Sequence, residues 1–158
     1  MGCSDHLSAL RRNRRLAVTA LRSAIDHMML AAGDDTPQVL AALDDAISRT
    51  QSALHSLGDR VPHVPYPLWG APQALSTPRF SIVLACAASL LGEAFNLMIG
   101  PDAPFGWDED FDDAAYDAAI SLEVAHAYRG LGPLGCWGVD GFYALKEPPA
   151  VEHTLSAT

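Results

Sequence analysis

The sequence predicts an all-α protein: a four-helix up-down bundle with a long Pro-rich cross-over loop and an irregular C-terminal segment. Three observations predict it. Apolar residues recur at three-and-four spacing through long stretches. Thr-Pro steps and glycines open and close those stretches. Prolines 62, 65, 67 and 72 then crowd one interval, residues 58–76, which cannot be helix. With 158 residues, 49% of them hydrophobic, the chain has the makings of one core rather than two. The expected division is a helical-bundle domain over residues 1–143 and a tail over 144–158.

The first helix is expected over residues 5–32, with Ser4 or Asp5 at its N-cap and Gly33 as its stop. Its apolar stripe is Leu7, Leu10, Ala17, Val18, Leu21, Ala24, Ile25 and Met28. The second opens with Thr36 as cap and Pro37 at the first helical position, where a missing N–H costs nothing. It runs to Leu57, and Gly58 ends it. Its stripe is Val39, Leu40, Leu43, Ile47, Thr50, Leu54 and Leu57. The short connection between the two predicts an antiparallel hairpin.

The third helix repeats the start signal, with Thr77 as cap and Pro78 after it, and closes near Ile99 before Gly100-Pro101. It is apolar nearly all round, the mark of the most buried helix. Its longest uncharged apolar stretch stops at Glu93, short of the roughly 18 residues that a membrane span needs. The fourth opens in the acidic cluster at 108–113, where acids suit the positive end of the helix dipole, and runs to Arg129 with Gly130 beyond. Residues 131–158 are expected to be loop and tail wrapping the outside. The cross-over and the other loops hold Trp69, Trp107 and Trp137, which either cover the core or line the mouth of a pocket for an apolar ligand.

Charge is distributed unevenly. Residues 1–99 hold eight acids and eight bases; residues 100–158 hold eleven acids against Arg129 and Lys146, and so carry the whole net charge of −9. That balance argues against nucleic-acid binding, which needs cations facing phosphates. It suits a basic protein partner. The three cysteines, Cys3, Cys86 and Cys136, form no framework and no Cys-x-x-Cys pair, which points to a reducing, cytoplasmic setting. No secretory leader pattern opens the chain.

Helix four carries the chemistry. Glu123 falls near the middle of its apolar arc and His126 inside the edge of that arc. Glu93 sits among apolar residues of helix three. Buried carboxylates must be paired, protonated or metal-bound. Glu123-Val-Ala-His126 is a Glu-x-x-His step, an arrangement that ferritin-like di-iron bundles use twice, with one further Glu from each of two other helices; the second copy is absent here. Glu93, Glu123 and His126, with His27, are therefore the candidate ligands of a single transition-metal ion. Without metal, Glu93, Glu123 and His126 are candidate acid–base catalytic groups on a small, partly apolar substrate. The alternative is an internal ion pair, with Arg14 on the stripe of helix one neutralising a glutamate. Two function classes follow: a small enzyme or ligand-binding bundle with a Glu/Glu/His site, or an acidic inhibitor- or immunity-type protein with no catalysis. Spare apolar surface on helix one or two would support a homodimer.

Overall fold

In the computed structural model, residues 3–33, 35–58, 75–99, 109–132 and 134 are described. They form four helices: α1 Cys3–Ala31, α2 Pro37–Ser56, α3 Thr77–Met98 and α4 Glu109–Tyr128. The loop tryptophans, the tail and most of the cross-over lie outside the described residues.

The local signals act as the sequence reading expects, with one displacement. Thr36 caps α2, its hydroxyl accepting from the Val39 amide at 3.4 Å, and Pro37 follows. At α3 the cap position is Ser76 rather than Thr77, and no side-chain cap bond forms there. Gly58 and Gly130 take φ of +81° and +80° beyond α2 and α4, a left-handed conformation that a residue with a Cβ adopts at a cost. The whole expected stripe of α2 is buried. On α1 the stripe is buried from Ala17 onward except for half-buried Val18, but Leu7 stays 45% exposed, because that end projects past its neighbours.

Contacts define the arrangement. α1 packs on α3 and α2, and α4 packs on α2 and α3; α1 and α4, like α2 and α3, face each other across the diagonals with no close approach of their backbones. Neighbours run antiparallel. Asn13, early in α1, donates to the carbonyl of Leu97 at the end of α3 (2.9 Å). Arg49 reaches Asp117, and His55 shares a cleft with Asp110. Ser81, early in α3, meets His126 late in α4. Consequently α2 and α3 run the same way. The end of α2 lies beside Arg11 and Arg14, at the start of α1. The start of α3 lies beside Arg129, which pairs with Asp35 ahead of α2. The cross-over therefore has to connect opposite ends of the bundle, roughly 30 Å apart for helices of this length. Sixteen or more residues reach that far, which accounts for the long interval in the sequence.

The core is continuous, with Phe80, Phe95, Phe111, Leu43, Leu84 and Leu122 among its fully buried side chains. α3 is not the central helix that its composition predicts. A bundle of four has no central position, so one face of α3 stays outside, and Ile82 is 62% exposed. α3 is long and apolar enough to cross a membrane by length and composition, yet half of that stretch is buried against the other helices.

Candidate functional site

The site is assembled where α4 ends. Gly130 donates to the carbonyl of Ala127 (2.9 Å) and Leu131 to that of His126 (3.2 Å). That pair of bonds is the Schellman motif, which only the left-handed glycine permits cheaply. The turn sends the chain back along the helix it has just left. The carbonyl of Gly132 arrives at Nδ1 of His126, 2.5 Å away. The amide of Leu134 arrives at Glu123 and donates to both carboxylate oxygens, at 3.2 Å each.

Both residues are buried, as the helical wheel of α4 predicts: Glu123 is 0% exposed and His126 4%. A carbonyl can only accept, so Nδ1 of His126 carries the hydrogen and Nε2 of the neutral ring is the acceptor. Ser81 Oγ stands 2.5 Å from Nε2 and so donates to it. Burial lowers the pKa of His126, against the opposing pull of the Gly132 carbonyl. The ring is thus held as the neutral Nδ1–H tautomer at neutral pH, with its basic nitrogen turned to a serine hydroxyl.

Phe80 and Arg129 close the arrangement. The Phe80 ring lies parallel to the imidazole, 3° between planes and 6.4 Å between centroids, an offset stack. The Arg129 guanidinium covers Phe80 at 4.3 Å from its centroid. Its Nε is 3.3 Å from Asp35 Oδ2, and its Nη2 donates to the carbonyl of Leu75. One arginine thus ties the end of α4 to the approaches of α2 and α3.

Glu93 does not join this group. It is exposed on the outer face of α3. The antiparallel register that sets Ser81 beside His126 sets Glu93 level with Ala114, nine residues and about 14 Å along the axis from Glu123. The expectation that it faces the core fails because α3 is apolar on its outside too, so apolar neighbours do not signal burial there. His27 lies between α1 and α3, its Nδ1 2.7 Å from the carbonyl of Ser23, and the backbone of α1 does not approach that of α4. Glu93, Glu123, His126 and His27 are not brought together, and among the described residues no three His, Cys, Asp or Glu side chains converge to hold a metal ion. Nor does Arg14 reach Glu93 or Glu123. It is exposed and lines a groove with Leu57 at the far end of the bundle.

Ser81 was not singled out by the sequence, although one signal for it exists. It is the first hydroxyl after Pro78 in α3, on the edge of the core-facing arc that turns to α4. Arg129, Asp35 and Gly132 gave no such signal, because their roles depend on the turn after α4.

A second polar cluster lies between α2 and α4. Ser121 donates to Asp45 Oδ2 at 2.5 Å, and Arg49 bridges Asp45 (3.5 Å) and Asp117 (3.0 Å). These residues line a cleft of about 280 Å³. A neighbouring cleft shares Arg49 and Asp117 and adds Asp110 and Asp113. Of the expected acidic cluster at 108–113, Asp110 and Asp113 are exposed, whereas Asp112 is 1% exposed and turned inward.

No protein-family model, no curated protein and no solved structure matches this chain.

Proposed function

We propose that this chain is a small helical-bundle enzyme that performs metal-free acid–base chemistry on a small, partly apolar substrate, with Ser81 and His126 as its reacting pair. One observation carries the reading: the hydroxyl of a half-buried serine sits 2.5 Å from the acceptor nitrogen of a buried, neutral imidazole whose other nitrogen is fixed by a backbone carbonyl. Nucleophile, base and orienting group in that order form the general arrangement for activating a serine. In the proposed step His126 Nε2 takes the hydroxyl proton as Ser81 Oγ bonds to an electrophilic carbonyl carbon. The same nitrogen then returns the proton to the leaving group. The role of Glu123 in this reading is positional. It holds the Leu134 amide, and with it the turn that presents the Gly132 carbonyl to His126.

Labelling with an alkyl fluorophosphonate tests the reading, since that reagent modifies only activated serines. The native chain should gain one adduct, mapped by mass spectrometry to Ser81, and both Ser81→Ala and His126→Gln should abolish it. A native chain left unlabelled by excess reagent over hours would reduce the pair to a structural tie between α3 and α4.

A second reading has its own support. The outer face of α2 and α4 exposes Asp45, Asp110 and Asp113 around the single cation Arg49. In this reading that face docks a basic protein partner, as an inhibitor or immunity-type protein would, and no catalysis occurs. Affinity for such a partner would fall steeply with salt and with Asp110→Lys or Asp113→Lys, while Ser81→Ala would leave it unchanged.

A further inference from the structure

We infer that the outer face of α3 is the contact surface of a symmetric homodimer, in which α3 of one copy lies antiparallel on α3 of a second copy with Cys86 at the two-fold axis. The inference is independent of the Ser81–His126 reading.

The face is apolar where a solvated helix would be polar. Ile82 is 62% exposed, Cys86 is exposed, and Leu90 is half-buried. Together with Ser23 and His27 of α1 they line a shallow groove of about 520 Å³. Exposed apolar surface of this kind marks an interaction site, but does not by itself name the occupant. The charges do. Only two ionic side chains stand on the outside of α3, Arg79 toward its start and Glu93 toward its end, both exposed. Each is seven residues from Cys86, so the three share one stripe, drifting only about 20° per seven residues.

A two-fold axis through Cys86 makes residues equidistant from it on either side face each other across an antiparallel pair. Arg79 of each copy then meets Glu93 of the other, twice, and Ile82 meets Leu90, twice. Cys86 meets itself. This is the self-complementarity that an isologous contact demands: one patch serves as both halves. A parallel pairing would instead set Arg79 on Arg79 and Glu93 on Glu93. Ala85, Cys86 and Ser89 are small and let the two helices approach closely. The apolar outer half of α3, which nothing in the single copy covers among the described residues, acquires a partner of matching chemistry.

The test uses the full chain carrying Cys3→Ser and Cys136→Ser, so that Cys86 is its only thiol. Sedimentation velocity across the micromolar range should show a reversible dimer. Diamide should convert it to a disulfide-linked dimer, the two Cys86 thiols giving two electrons and two protons to the oxidant. Glu93→Arg should weaken association about tenfold or more, because two attractive pairs become two repulsive ones, and Arg79→Glu should do the same. The double reversal, Arg79→Glu with Glu93→Arg, should restore the dimer. Arg79 and Glu93 are exposed, and circular dichroism checks that each variant keeps its helices. A chain that stays monomeric throughout would overturn the inference. So would a dimer indifferent to both single reversals, or single reversals that the double variant fails to rescue.

Discussion

Ser81 Oγ and His126 Nε2, 2.5 Å apart, are the point at which α3 is locked to the end of α4. The imidazole is bonded at both nitrogens, so removing the serine hydroxyl leaves a buried acceptor with nothing to accept from. Such an orphan costs about 1–3 kcal/mol. Ser81→Ala should therefore lower the unfolding free energy by that amount in urea titration, with the m-value unchanged. Ser81→Thr, which keeps a hydroxyl at the same place, should recover part of the loss.

The lowered pKa of His126 makes stability depend on pH with a definite sign. In the unfolded chain the ring protonates near its ordinary value of about 6.5; in the folded chain burial holds it neutral to lower pH. Above about 6.5 neither state carries the proton, and the native state is at full strength with respect to this group. As pH falls below that value the unfolded state binds a proton that the folded state refuses, so stability declines until the folded pKa is passed. The slope contributed is at most one proton, about 1.4 kcal/mol per pH unit. Chemical unfolding between pH 7 and 5 should show this decline, and His126→Gln should flatten that component of it. If the fluorophosphonate reaction occurs, its rate should fall over the same direction of pH, because only the neutral ring can take the serine proton.

Glu123 serves the Leu134 amide with both its oxygens. Gln retains one accepting oxygen in the same volume, so Glu123→Gln should cost about 1 kcal/mol or less if that bond carries most of its worth. Glu123→Ala removes the acceptor and opens a void in a fully buried place, and should cost about 2–4 kcal/mol. Amide hydrogen exchange at Leu134 distinguishes the two. Exchange there should accelerate strongly in the Ala variant and little in the Gln variant. An Ala variant with unchanged exchange at Leu134 would mean that the turn does not depend on this carboxylate.

Much of the bundle is legible in the sequence because it rests on local physics. Thr36-Pro37 is a start signal that acts within one helical turn, and the α2 stripe from Val39 to Leu57 needs only a periodicity to be read. Glu123 and His126 are correctly read as buried for the same reason: α4 has a well-defined apolar arc, and a polar residue inside that arc must be buried. Glu93 is misread because α3 has no polar face to contrast with its apolar one, so a wheel assigns no inside. Arg14 is misread because it stands level with the last residues of α2 and α3, where the bundle ends and a stripe position is open to solvent. The Leu134 amide that Glu123 accepts from could not be found on any wheel. It is a backbone amide, delivered by a turn whose shape depends on Gly130 and whose destination depends on the fold. Ser81 belongs to the same category, since its value as a donor exists only once α3 and α4 adopt their antiparallel register.

Arg129 joins three segments through contacts of different kinds. It sits 3.3 Å from Asp35, bonds to the Leu75 carbonyl, and lies over the Phe80 ring that itself stacks on His126. Both charged side chains are largely sheltered, at 17% and 9% exposure for Arg129 and Asp35. Removing one member of such a pair leaves the other uncompensated, which costs about 3–5 kcal/mol. Arg129→Ala should therefore destabilise more than any other single change proposed at this end of the bundle. Arg129→Lys should recover little, because an ammonium cannot serve Asp35 and Leu75 while covering Phe80. Asp35→Asn in the Arg129→Ala background should recover part of the loss, since the stranded charge is then gone and the amide oxygen can still accept from the Thr36 backbone, as Asp35 Oδ1 does at 2.7 Å. A double variant no more stable than Arg129→Ala would mean that the arginine acts through Phe80 and the Leu75 carbonyl, with Asp35 a bystander.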